Sequence, residues 1–299
     1  MGNDFTFFIN HLFWSPFPFF LTLVKNNTML IKPEVKAWFD TISHTMSYVV
    51  YQAPGQVCAI IDPVLGYSPT SKQVDTRLAD DIIHFVDENN LTVAWLLETH
   101  HHADHVTAAS YIKAQRGGCI AMNHHINAVA SLFPAAFDLA SKADINIYPA
   151  FDYLFADDEV FSVGGLTAQA IYVPGHTLTC VAYLIGDAVF VGDTLFMPDV
   201  GTGRCDFPGG DAAVLYRSIQ KIFALPLQTR LFVCHDYPPP HRQPAWETTI
   251  AAQRTQNIHI QANTSATNFI EMRTRRDKSL TPPQLMQPAI QLNLRAGKI

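Results

Sequence analysis

Thr99-His100-His101-His102-Ala103-Asp104-His105 places four histidines and an aspartate within seven residues. Read as His-x-His-x-Asp-His, it sets His100, His102, Asp104 and His105 at the spacing of a metal-binding loop. Imidazole nitrogens beside a carboxylate suit zinc or iron, whereas calcium and magnesium take oxygen ligands. Without a cation, so many ligand-type side chains held this close would repel one another and be costly to bury. A His-rich polar surface loop is the alternative reading, and the flanking residues count against it. Residues 91–97 (LTVAWLL) are almost wholly apolar, the pattern of a buried strand, and they run straight into the loop. Residues 106–115 then read as a helix closed by Gly117-Gly118. A loop at the end of a rigid strand is where sites are commonly built.

The 299 residues suffice for one large domain or two modest ones. Hydrophobic content of 48% against 15% charged describes a chain with a sizeable core, which excludes a disordered protein. Net charge is −6 and no basic block precedes Arg273-Thr274-Arg275-Arg276, so no nucleic-acid partner is expected. Five scattered cysteines, odd in number and without a Cys-x-x-Cys, suit a reducing compartment, and the expected location is cytoplasmic. Residues 1–28 stand apart as an apolar, aromatic extension. They lack the positive start of a signal peptide, and Asn10, His11, Pro16 and Pro18 make a poor membrane span. Met29 as the true start, with a translated upstream segment, is preferred to a membrane anchor.

Residues 46–52 and 57–61 read as a hairpin around Ala53-Pro54-Gly55 that ends at Asp62-Pro63, and residues 75–88 have helical periodicity. Short β-type runs follow over 160–163, 166–173, 180–185 and 188–191, then a helix over 211–223 and a strand over 230–234. Beyond Pro238-Pro239-Pro240, residues 241–299 read as a helix or two with an extended tail. Two β-rich halves carrying helices imply an α/β fold of two packed sheets with helices outside.

Three further strand–turn–ligand units follow the first loop. They are Val173-Pro174-Gly175-His176-Thr177, Val191-Gly192-Asp193-Thr194 and Val233-Cys234-His235-Asp236-Tyr237. Singly, each reads equally well as a capped turn. In this order, behind the opening loop, His176, Asp193 and His235 complete a ligand set. The whole pattern, over about residues 46–237, resembles the metallo-β-lactamase superfamily. That resemblance implies an αββα sandwich with the metal at one edge. It divides the chain into the extension 1–28, a metallo-β-lactamase-like domain 29–240 and a C-terminal helical or extended segment 241–299 packed on it. In the superfamily, His100, His102 and His176 would hold one metal and Asp104, His105 and His235 a second, with Asp193 between them.

Glu98 to His105, Gly203-Arg204-Cys205-Asp206-Phe207 with Gly209-Gly210, and His235-Asp236-Tyr237 are similar to the persulfide dioxygenase (ethylmalonic encephalopathy protein-like) family. So is the ending Ile290 to Gly297. Gly201-Thr202-Gly203-Arg204 departs from the Gly-Cys-Gly-Arg often found there, so no cysteine role carries over, to Cys205 or otherwise. The resemblance implies one Fe(2+) per chain on His100, His176 and Asp193, a two-His-one-carboxylate face with open positions. His102, Asp104, His105 and His235 would then lie around it. The implied reaction oxidises glutathione persulfide, or a related low-molecular-weight thiol carrier, with O2 to sulfite and glutathione. The alternative is a glyoxalase II-type hydroxyacylglutathione thioester hydrolase with two Zn(2+), which the spacing leaves open. A non-catalytic sensor is a third reading, against which the intact ligand set counts. Substrate contacts are expected from Arg204, Tyr237, Arg273 and Arg295, with Arg276 also available, since glutathione carries two carboxylates. A salt bridge with Asp206 competes for Arg204. His101, His124, His125 and His241 are read as structural. A homodimer is compatible with the sequence.

Overall fold

The computed structural model describes residues 31–132 and 150–299; the extension expected over residues 1–28 lies outside the described residues. The elements in chain order are β1 (Glu34–Phe39), β2 (Met46–Tyr51), β3 (Val57–Ile61), β4 (Val64–Tyr67), β5 (Val74–Asp75), α1 (Arg77–Glu88), β6 (Thr92–Leu97), β7 (Val106–Thr107), α2 (Ala109–Arg116), β8 (Cys119–Asn123), α3 (Ile126–Leu132) and β9 (Tyr153–Phe155). The second half comprises β10 (Glu159–Val163), β11 (Leu166–Tyr172), β12 (Val181–Ile185), β13 (Ala188–Phe190), α4 (Ala212–Phe223), β14 (Arg230–Phe232), β15 (Glu247–Thr249), α5 (Ile250–Gln256), α6 (Ala266–Asp277) and α7 (Met286–Asn293). One sheet runs β1-β2-β3-β6-β8-β9 and the other β10-β11-β12-β13-β14-β15, with a small β5-β4-β7 sheet beside them.

Side-chain alternation explains the layers. In β2, Met46, Tyr48 and Val50 join Ala59, Ile61, Leu97 and Phe155 in a core shared with Tyr183, Ile185, Phe190 and Phe232 of the other sheet. The intervening Val49 and Tyr51, with Cys58, Ile60 and Leu96, pack against Ile82, Val86 and Ile112 of α1 and α2. Strands buried on both faces read as continuous apolar runs, as β2 and β6 do. On the second sheet, α4 buries Leu215, Ile219, Ile222 and Phe223. The result is the expected αββα sandwich.

Strand direction brings the candidate ligands to one edge. β3, β6 and β8 are parallel, as are β13 and β14. β11 is antiparallel to β12, and β12 to β13, so β11 runs the same way as β13. Their carboxyl ends therefore emerge together, the usual place for a site in such sheets. Two expected boundaries shift. The helix read from residue 106 begins at Ala109, because Val106–Thr107 pairs with β4. Residues of the tail supply β15, which pairs antiparallel with β14 and closes that sheet's edge. Among the described residues no helix is long and apolar enough to cross a membrane.

Candidate metal centre

β6 delivers the histidine loop, and Asp62 at the end of β3 holds it. The Asp62 carboxylate accepts the Thr99 N–H at 2.8 Å, the Thr99 hydroxyl at 2.8 Å and His102 Nε2 at 3.0 Å. Its backbone lies at φ 48°, a left-handed conformation that aspartate tolerates better than most residues. Asp62 is buried, and burial alone would raise its pKa. The His102 ring and the Thr99 donors outweigh that and hold it below the ordinary value. From the other end of the chain, Asn293 in α7 donates to the carbonyls of His102 and His105, both at 2.8 Å. Its own carbonyl accepts the Thr107 N–H at 2.9 Å.

His176 sits on the loop after β11. Gly175 before it has φ 134°, and a Cβ there would lie 2.4 Å from the backbone of Leu215, so only glycine lets α4 pack this close. Asp193 follows β13 in a single 3-10 turn, and His235 follows β14. Buried side chains of these loops converge: the ligand atoms of His100, His176 and Asp193 lie within 4.8 Å of one another. His102, Asp104 and His105 form a second such group, and His102, Cys234 and His235 a third. Asp193 faces both sides, with Oδ2 at 3.4 Å from His176 Nε2 and Oδ1 at 3.4 Å from His235 Nε2. His235 Nε2 is also 3.5 Å from Asp104 Oδ2.

The hydrogen bonds leave each imidazole one free nitrogen. The Thr99 hydroxyl donates to Asp62, so it accepts from His100 Nδ1 at 3.0 Å, which leaves Nε2 bare. His176 Nδ1 donates to the Arg204 carbonyl at 2.6 Å, and His235 Nδ1 to the His44 carbonyl at 3.3 Å. His105 Nδ1 is tied to Asp104 Oδ2 at 3.2 Å. His102 donates through Nε2 to Asp62, with Glu98 Oε2 also 3.4 Å away. Its Nδ1, His105 Nε2 and Asp193 Oδ1 are buried without a hydrogen-bond partner among the described residues. Burial, then the neighbouring imidazoles, push the pKa of His100 well down; burial also lowers that of His176 and His105. Burial opposes protonation of His235 too, but the Asp193 and Asp104 carboxylates outweigh it and raise its pKa. The neutral imidazoles of His100, His105 and His176, with His102 and His235 held beside carboxylates, are a donor set that a divalent cation satisfies. The residues fit a metal.

A cavity of about 660 Å³ opens over this cluster. Tyr237 lines it, 47% exposed, with its ring stacked on His235 at 5.8 Å. Arg204 also lines it, but its guanidinium pairs with Asp206 at 2.6 Å and donates to the Thr281 carbonyl at 2.7 Å. Arg273 reaches the wall from α6 fully buried, bonded to Asp277 and to the Thr202 carbonyl. Arg295 is exposed and is not among the residues lining the cavity. His101, read as structural, also lines the cavity, with its Nδ1 2.7 Å from Thr179 Oγ1. His124 and His125 meet Asp157 on the surface, apart from the cavity, and His241 is exposed. Cys205 donates its thiol to Asp277 at 3.3 Å, and burial pushes its pKa up.

Sequence reading passed over four residues here. Asp62 looked like a hairpin end and Glu98 like a motif flank, although each terminates a strand parallel to its neighbour. Cys234 sits beside His102 and His235, and its thiol donates to Asp62 Oδ2 at 3.5 Å. His259 lines the cavity from a distant loop.

A sequence profile of the metallo-beta-lactamase superfamily matches residues 41–235. The chain is 43% identical over 275 residues to a Burkholderia pseudomallei protein named "Probable metallo-hydrolase", covering 89% of this chain and 93% of that one. It is 42% identical over 274 residues to glyoxylase B2 of Dictyostelium discoideum, covering 90% and 92%. The human mitochondrial persulfide dioxygenase ETHE1 is 26% identical over 266 residues, 88% of each chain. The crystal structure of ETHE1 from Myxococcus xanthus superposes with a TM-score of 0.70 at 28% identity, covering 89% of this chain and all (100%) of that one.

Proposed function

Since this chain belongs to the metallo-β-lactamase superfamily, we propose that it is a persulfide dioxygenase with one ferrous ion per chain, held by His100, His176 and Asp193. The observation that carries this reading is the grouping of those three buried side chains, whose ligand atoms lie within 4.8 Å of one another. Two imidazoles and one carboxylate on a single face leave positions open for substrate and O2. The iron, when bound, supplies the redox chemistry that no side chain can. The overall change is balanced as RSSH + O2 + H2O → RSH + sulfite + 2 H⁺: the outer sulfur is oxidised, dioxygen is reduced, and the thiol leaves.

The protein's own residues set the stage for this. The Arg204 carbonyl fixes the His176 tautomer and Thr99 that of His100. Asp62 and Glu98 hold the Nε2 edge of His102. Asp104, His105 and His235 keep the far side of the centre polar. Glutathione persulfide is the expected substrate, and the relation to human persulfide dioxygenase ETHE1 and to the Myxococcus structure supports it.

The second reading is a two-zinc thioester hydrolase of glyoxalase II type. Asp193 facing both His176 and His235, and relatives named as a metallo-hydrolase and a glyoxylase, favour it. Metal analysis with an oxygen electrode separates the two. About one iron per chain, with O2 uptake on glutathione persulfide, is expected. Two zincs with thioester cleavage and no O2 uptake would sink the dioxygenase.

A further inference from the structure

The charges on the cavity wall are unevenly matched. Three arginines line it: Arg204, Arg273 and Arg276. Asp206 neutralises the first and Asp277 the second. Arg276, one turn beyond Arg273 on α6, is exposed, and among the described residues its guanidinium has no hydrogen bond or ion pair. An unpaired guanidinium on the wall of a binding cavity presents a planar set of donors suited to a carboxylate.

His259 stands in the same wall, and its surroundings are built to hold it. The Thr202 N–H donates to His259 Nδ1 at 3.0 Å. A backbone N–H can only donate, so Nδ1 carries the lone pair and the ring's proton sits on Nε2. Asn257 accepts the backbone N–H of His259 at 2.9 Å and of Ile260 at 3.1 Å, and donates to the Gly201 carbonyl at 2.9 Å. Gly201 has φ 105°, and a Cβ there would lie 2.2 Å from the ring, so glycine makes the space the imidazole fills. Burial, then Arg273 and Arg276, push the pKa of His259 down to about 4. The ring is thus a neutral Nε2–H donor near physiological pH, electrostatically coupled to Arg276. No role in holding the metal explains so many supports, because among the described residues His259 belongs to none of the ligand groups.

We propose that Arg276 and His259 form a carboxylate-binding subsite on the cavity wall, which selects thiol carriers that present a carboxylate, glutathione among them. This rests on the reading that the cavity serves the metal centre with a thiol-derived substrate. It assigns recognition to a loop and a helix that lie beyond the matched superfamily segment, which ends at residue 235.

The test is calorimetric titration of the metal-loaded protein with glutathione and with glutathione diethyl ester, whose carboxylates are masked. Glutathione is the product thiol of both the dioxygenase and the hydrolase, so the titration reads the subsite whichever chemistry holds. The wild type is expected to bind glutathione about tenfold or more tightly than the ester. Arg276→Gln, a surface change, should bring the two within about twofold, and Arg276→Lys should restore part of the difference. His259→Asn keeps an acceptor for the Thr202 N–H but withdraws the deep donor, and should weaken glutathione binding about threefold with little change for the ester. Equal binding of the two ligands by the wild type, no binding of glutathione, or full discrimination by Arg276→Gln would each overturn the subsite. An O2-uptake assay that excludes the dioxygenase while discrimination persists would overturn the reaction and leave the subsite standing.

Discussion

At the scale of single residues, the centre depends on side chains that never face the cavity. Asp62 accepts from Thr99 and His102 and receives the Cys234 thiol, so one carboxylate holds both ends of the histidine loop's base. Asp62→Asn keeps the shape and tolerates the left-handed backbone but loses the charge and turns one acceptor into a donor. It is expected to cost about 2–4 kcal/mol in chemical denaturation and about 10–100-fold in metal affinity. The two readings of the centre also part here. With a single iron on His100, His176 and Asp193, His176→Ala should abolish metal content while His235→Ala retains about one ion per chain by elemental analysis. Equal loss from both variants would point to the two-metal hydrolase. The candidate ligands were legible in the sequence because each lies on a loop that follows a strand. Asp62 and Glu98 were not, because only parallel pairing of β3 with β6 puts residues 40 apart, Asp62 and His102, in contact.

Elements decide whether those residues can meet. Most strands and helices could be read from alternation and periodicity, since β2, β3, β6 and β12 are buried and nearly continuous in their apolar character. β1 was missed because it is an edge strand with charged Glu34 and Lys36 alternating outward. The start of α2 was misplaced because a tertiary pairing, β7 with β4, captures Val106 and Thr107. The most exacting contact between elements is Gly175 against the first turn of α4. Gly175→Ala combines an unfavourable φ with backbone overlap at Leu215. A loss of about 2–4 kcal/mol is expected in chemical denaturation, with His176 displaced and metal content reduced. A variant with unchanged stability would show that α4 can shift without cost.

For the whole molecule, the edge of the sandwich is a place where buried imidazoles and carboxylates outnumber their internal partners. Among the described residues, His102 Nδ1, His105 Nε2 and Asp193 Oδ1 have no hydrogen-bond partner. Metal at about 100 times its dissociation constant would therefore stabilise the native state by about 2.7 kcal/mol. Stripping it with a chelator is expected to lower the melting temperature by about 5 °C or more in calorimetry, reversed by ferrous ion under anaerobic conditions. An unchanged melting temperature would mean that the centre is equally stable without an ion. The sandwich itself was legible from the count and order of elements. The cavity's recognition wall was not, because residues 201, 259 and 276 come together only through packing of α5 and α6 against α4.

Asn293 has a consequence in time as well as in space. Its amide grips the carbonyls on either side of Asp104 and takes up the Thr107 N–H. During synthesis the histidine loop leaves the ribosome nearly two hundred residues before Asn293 does, the separation being 191 positions to His102. Throughout that interval the loop lacks its clasp, and for the first part of it His235 too is still to come. The nascent chain therefore exposes an unfinished set of imidazoles to the cell's metal pool, and selection of the right ion falls to the completed protein.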